Sequence, residues 1–260
     1  MIKGKNVFGQ RLKNPCMNGP ILTSIRSEMK IRYRSNRLLE ARSTLYGVVS
    51  ALFSDPKCEK FAMLMKPVIQ GCVLDACFQL EEQNNMKKSD LSRSFQKLIA
   101  KLDKSKIENI MNESVDVFGH TLSKQIAPYA LEHLKNSDVF FRTQKLADLN
   151  GFYKAFGMEV ESIERADHIS TQTEFLSYLL LKEILAEKDG LFVEMGICQD
   201  AFDQFQKDHF SDWAKMFAEN TATKVDGIFY PLAGRFLSIS LETEKYYGST
   251  TFRRKNDKTK

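Results

Sequence analysis

Four histidines, one tryptophan and five cysteines without a C-x-x-C leave little in these 260 residues for metal or redox chemistry. His120, His133, His168 and His209 are dispersed and never stand in the H-E-x-x-H spacing of a zinc site, so no metal is expected. Cys16, Cys58, Cys72, Cys77 and Cys198 sit mostly in apolar helical contexts, where a reduced thiol behaves as a small hydrophobe. No phosphate-binding G-x-x-x-x-G-K-S/T, G-x-S-x-G elbow or dinucleotide fingerprint occurs. Nothing approaches the roughly 18 apolar residues of a membrane span, and the opening MIKGKNVFGQRLKN lacks the apolar run of a secretory signal. A cytoplasmic protein without a cofactor is the expectation.

What is present is enough apolar side chain, 43%, to bury a core in one large domain or two small ones. The formal charge of +5 is unevenly spread. Residues 1–37 carry nine basic side chains against Glu28, residues 253–260 five against Asp257, and the stretch between them comes to −7. The expected organisation is therefore a basic N-terminal extension (1–37), an acidic helical domain (38–250) and a basic C-terminal tail (251–260). Basic tails admit a nucleic-acid or anionic-lipid partner, a reading that rests on the tails alone.

Apolar positions recur at helical spacing throughout, with no alternating strand pattern and no internal repeat. The expected fold is all-α, about nine to ten helices in two sub-bundles (38–127 and 139–250) joined by a connector at 128–138. The first helix runs from Leu38 to Phe53 and stops before Asp55-Pro56. A second begins near Cys58 and turns Phe61, Leu64, Met65, Val68 and Cys72 inward, with Pro67 kinking it or opening a new helix. Further helices cover Asp90 to Leu102, Lys104 to His120 and Arg142 to Phe156, the last closed by Gly157 in a left-handed cap. GLFVEMG, from Gly190, reads as a loop, and two helices, Cys198 to Ala218 and Asp226 to Tyr247, complete the chain.

The segment ERADHISTQTEFLSYLLLKE, Glu164 to Glu183, sets polar residues directly before a helix that becomes almost wholly apolar. Asp167 has the chemistry of an N-cap, and its charge suits the positive end of a helix dipole. Ile169, Thr173, Leu176, Leu180 and Ile184 make one inward stripe. With Leu179, Leu181 and Leu185 added, the later turns read as buried on nearly every side. His168, Gln172, Phe175 and Tyr178 lie on or beside another face and need partners, internal or brought by a ligand. A hydrolase built on a Cys or His is the competing reading. Neighbouring helical residues do not face one another, so Asp167 cannot orient His168 as a triad carboxylate would.

The order FYKAFG (Phe152 to Gly157), E-R-x-D-H-I (Glu164 to Ile169), E-F-L (Glu174 to Leu176), K-E (Lys182, Glu183), D-H-x-x-x-W (Asp208 to Trp213) and F-Y-x-L-A (Phe229 to Ala233) resembles the TorD/DmsD family of redox-enzyme maturation chaperones. E-A-R-x-x-L-Y-G (Glu40 to Gly47), L-F-S-D-P (Leu52 to Pro56) and Pro128-Tyr129 are similar to its front half. The resemblance spans Leu38 to Tyr247. It implies a non-catalytic, all-helical cytosolic chaperone, monomeric or a helix-swapped dimer, that binds a molybdoenzyme catalytic subunit through its twin-arginine signal peptide until the cofactor is inserted. Carried over by motif, the peptide-binding residues are Glu164, Asp167, His168, Gln172, Glu174, Phe175 and Tyr178. Gln172 stands where many members have Glu, and the family's front-half aromatics are not evident here.

Overall fold

The computed structural model describes residues 20–83, 90–104, 107–119, 125–134, 138–160 and 164–257. Ten α-helices lie among them: α1 (Pro20–Leu52), α2 (Glu59–Met63), α3 (Pro67–Gln83), α4 (Asp90–Lys104), α5 (Ile107–Phe118), α6 (Val139–Ala155), α7 (Ile169–Lys188), α8 (Phe192–Phe205), α9 (Ser211–Lys224) and α10 (Phe229–Asp257). A 3-10 turn, Ala130–His133, sits in the connector, and a π turn, Gln206–Phe210, joins α8 to α9. The described residues hold no strand; one isolated bridge pairs Tyr129 with His168. The chain divides into two compact units, Met1–Ser35 and Asn36–Lys260.

The all-α expectation holds, and the departures from it are local. The first helix ends at Leu52 but begins at Pro20 instead of Leu38, since proline is suited to a first helical turn. Pro67 opens a new helix, α3, the second of the two outcomes expected of it, but Val68 and Cys72 face outward, not inward. The helix read as starting at Arg142 starts at Val139, because the Asp138 carboxylate accepts the Phe141 N–H at 2.7 Å. GLFVEMG is the start of α8, not a loop. Gly190 at φ 74° turns the chain after α7, and no side chain caps the new helix, so nothing in the sequence announces it. The single helix expected over Cys198 to Ala218 is two helices around the π turn, which inserts an extra residue and moves the buried register from Phe205 to Phe210. Gly157, at φ 78°, ends α6 in the expected left-handed conformation.

Helix α7 runs through the core of the second unit, with Ile169, Phe175, Leu176, Leu179 and Leu180 at 0% exposure. Burying a leucine of this kind is worth about 1.5–3 kcal/mol. Against α1 it is held by two reciprocal serine pairs, two turns apart on both helices. Ser50 donates to Ser170 O and Ser170 to Ser50 O, both at 2.8 Å; Ser43 donates to Ser177 O at 3.1 Å and Ser177 to Ser43 O at 2.8 Å. Gly47 lies between them, where a Cβ would make ordinary contact with Ser177 Oγ at 3.5 Å. On the other side of α1, Arg42 Nε donates to Glu244 of α10 at 3.0 Å. Burial works against that guanidinium's charge, and the Glu244 carboxylate more than offsets it. Helices α9 and α10 approach so closely that a Cβ on Gly234 would stand 2.7 Å from Ala222 N.

Candidate functional site

The Asp-His pair lies where the connector meets the start of α7. Ala130 N–H donates to Asp167 O and Ile169 N–H to Pro128 O, each at 2.9 Å, so the backbones of Pro128–Ala130 and Asp167–Ile169 are laced together. The Tyr153 hydroxyl donates to Ala166 O at 2.6 Å and fixes the approach from α6. Asp167 is wholly buried. Its carboxylate accepts the Leu131 N–H at 3.0 Å and a bidentate grip from Arg165, Nε at 2.9 Å and Nη2 at 2.8 Å. Such a buried charge persists only when paired and hydrogen-bonded. Arg165 in turn lies 4.3 Å from the centre of the Tyr129 ring and 3.3 Å from Glu132.

The expected cap is therefore displaced by one residue. Both Asp167 oxygens are taken by Arg165 and Leu131, and the N-cap of α7 is His168, whose Nδ1 accepts the Ser170 N–H at 3.2 Å. A ring nitrogen that accepts this bond carries no proton. Burial, reinforced by the positive charges of Lys60 and Arg165, lowers the His168 pKa from 6.5 to about 3. Glu164 Oε2 stands 3.6 Å from the same nitrogen, but with a neutral imidazole this contact is not an ion pair at neutral pH. Burial also raises the Glu164 carboxyl, as does Asp55, while Lys60 opposes the shift.

Lys60, from α2, gathers the exposed part of the site. It pairs with the Glu174 carboxylate and lies 3.2 Å from Ser50 Oγ and 3.4 Å from Ser170 Oγ. Glu164 and Glu174 remain open to solvent, with side chains 37% and 49% exposed. Glu164, His168 and Glu174 thus converge around one lysine, 114 residues before Glu174.

The other residues of the expected set turn inward. Gln172 has no exposure; its Oε1 accepts the Trp213 Nε1–H at 2.9 Å, and its Nε2 finds no partner among the described residues. Trp213 stacks on His133 of the connector at 5.7 Å. Phe175 is fully buried against Tyr153 (4.8 Å), Phe205 (4.9 Å) and Phe156 (6.0 Å). Tyr178 is half-buried and donates to Phe156 O at 3.1 Å. Sequence reasoning did not select Lys60 or Arg165. Arg165 lay inside the E-R-x-D-H-I motif, two residues before the carboxylate it grips, whereas Lys60 is brought in by tertiary packing alone. No cluster of metal-ligating side chains occurs among the described residues, and none of their helices is long and apolar enough to cross a membrane.

The sequence matches the nitrate reductase delta subunit family over residues 84–219, just over half of the chain and the part that carries the connector, the Asp-His junction and the π turn. A search of curated proteins finds no match. Among solved structures, an Archaeoglobus fulgidus protein assigned to redox enzyme maturation is 19% identical and aligns over 75% of this chain and 91% of its own, with a TM-score of 0.42. The family match agrees with the ordered motifs read from the sequence: the chain belongs to the nitrate reductase delta subunit family, the TorD-like family of redox-enzyme maturation chaperones.

Proposed function

We propose that the chain is a non-catalytic cytoplasmic chaperone that binds a molybdoenzyme catalytic subunit through its twin-arginine signal peptide and holds it while the cofactor is inserted, before export. The family match over residues 84–219 carries this reading. The site supports it. Glu174 pairs with Lys60, Glu164 feels the charges of both Lys60 and Asp55, and the three carboxylates outnumber the one lysine, a net negative rim that suits arginine, whose planar fork binds carboxylates in bidentate fashion. His168 lies beneath the rim, buried and neutral. With its pKa near 3 and its Nδ1 occupied by Ser170, it is a poor general base at neutral pH, which weighs against the hydrolase reading. Asp167, Gln172 and Phe175, buried and engaged, are assigned to holding the rim's shape.

Calorimetric titration with a synthetic peptide, two consecutive arginines followed by an alanine- and leucine-rich stretch, tests this. Wild type is expected to bind it more tightly than the twin-lysine counterpart, and Glu164→Gln with Glu174→Gln should weaken binding, more so at low salt. Failure of wild type to bind the arginine peptide overturns the proposal.

A further inference from the structure

The opening of α1 takes no part in the site described above. It belongs to the compact unit Met1–Ser35, which precedes the family match and carries eight basic side chains against the single acid Glu28, a net +7. Because the helix starts at Pro20, the later part of this basic extension is set in helical register. Ile21, Ile25, Met29 and Tyr33 recur every four residues as one row, and Leu22, Arg26, Lys30 and Arg34, each one position later, as a second. At about 100° per residue the five apolar positions span an arc of about 120°, and Arg26, Lys30 and Arg34 take roughly the next 80°. Arg32 falls inside the apolar arc, where a long stem can follow apolar surface while its head stays wet. Glu28 borders that arc on the side away from the basic row, and Ile31 lies outside both.

Two properties select the partner. The charge calls for an anion-rich surface, and the apolar arc beside it calls for hydrocarbon next to those anions. A nucleic-acid backbone supplies the first and not the second, whereas a bilayer sets anionic headgroups directly over its acyl chains. No helix among the described residues is long and apolar enough to cross a membrane, so the fitting geometry is a helix lying in the plane of the interface. We propose that residues 20–35 dock on an anionic phospholipid surface, the Ile21, Ile25 and Met29 row against the acyl boundary and Arg26, Lys30 and Arg34 at the lipid phosphates. Tyr33, ending the apolar row, has the amphipathic ring that suits headgroup depth. Each cation near such a surface contributes about fivefold in affinity, so the contact is reversible and salt-sensitive. It is separate from client binding, which is assigned to residues of the second unit.

Co-sedimentation of the full chain with vesicles of phosphatidylcholine, with and without phosphatidylglycerol, tests this. Wild type is expected to bind the anionic vesicles and not the neutral ones, more weakly as salt rises. Arg26→Gln with Lys30→Gln and Arg34→Gln should weaken that binding roughly a hundredfold, three cations at about fivefold each. Ile25→Gln with Met29→Gln keeps the charge and a good helix former at both positions, and should weaken it roughly tenfold or more. Both sets of substitutions lie outside the second unit, Asn36–Lys260, so its melting, read from Trp213 as the single tryptophan, should hold. If wild type does not distinguish the two kinds of vesicle, or the two variants bind as wild type does, the assignment is overturned. If the Ile25, Met29 variant binds as wild type does, and a single-stranded RNA binds as tightly as the vesicles, the helix reads negative charge alone and the lipid assignment is equally overturned.

Discussion

Along α7, burial runs against polarity. Ser170, Thr171, Gln172 and Thr173 in its opening turns are all buried, whereas Leu181 and Leu185, further along, are 47% and 58% exposed. The polar turn goes inward because it finds partners there: Ser170 with Ser50 of α1, Thr173 Oγ1 with Ile169 O at 2.7 Å, and Gln172 with Trp213. Leu181 and Leu185 stay outside because α1, α8 and the core have already claimed the other faces. Burial of a residue on a central helix is thus set by what lies opposite, and hydrophobicity alone assigns it wrongly at both ends.

The widest contrast is between two leucines of the same helix. Leu180→Ala, at 0% exposure, should cost about 2–5 kcal/mol through lost contacts and a residual cavity, whereas Leu185→Ala should stay within about 0.5 kcal/mol. Urea unfolding midpoints of the two variants check this. Equal losses would mean that Leu185 is covered in solution.

His168 gives the pH arm of the same comparison. Its folded pKa, about 3, lies below the 6.5 of the unfolded side chain, so the unfolded state binds the extra proton first. The stability it contributes is complete above pH 6.5 and is lost as pH falls from there toward 3, at up to about 1.4 kcal/mol per pH unit. His168→Asn keeps a side chain able to cap α7 and removes the titration. A flatter acid limb of stability against pH is expected for it, and an unchanged limb would mean that the ring is solvated.

What the sequence disclosed, and what it hid, follows from the same physics. Helical spacing, Asp55-Pro56 and Gly157 are local signals, and they placed the helix ends they govern. The start of α8 carried no capping side chain and opened on the exposed Leu191, Phe192 and Val193, so it offered no amphipathic pattern to read. The π turn was hidden because its extra residue leaves both flanking patterns helical. At the site, the motif singled out Glu164, Asp167, His168 and Glu174 together. It did not reveal that the carboxylate of Asp167 is taken by Arg165 and Leu131, or that Lys60 arrives from α2, because long-range partners leave no mark on local spacing.

Removing one partner of the buried polar turn has a smaller effect. Trp213→Phe keeps the ring beside His133 but strands Gln172, whose Oε1 loses the Nε1–H bond while its Nε2 already lacks a partner among the described residues. A loss of about 1–3 kcal/mol is expected, and Gln172→Leu on that background should recover part of it, because two apolar partners leave nothing unsatisfied. Thermal melts of the single and double variants decide; a double variant weaker than the single would mean that the amide has another role.

The smallest effects on stability belong to the exposed edge. Lys60 and Glu174 have side chains 36% and 49% exposed, so their ion pair is worth about 0–1 kcal/mol and weakens with salt. Glu174→Gln and Lys60→Gln should therefore melt almost alike, the more so because Ser50 and Ser170 keep their reciprocal bonds without the lysine. Their effects on peptide binding should have opposite signs. Lys60 occupies the carboxylate that an incoming arginine would use, so Lys60→Gln should tighten the arginine peptide by up to about fivefold, the equivalent of ~1 kcal/mol, while Glu174→Gln loosens it. Calorimetric titrations of both variants at two salt concentrations read this directly. If both variants weaken binding, the lysine is itself a contact to the client; if neither changes it, the edge defined by Glu164, His168 and Glu174 is not where the arginines bind.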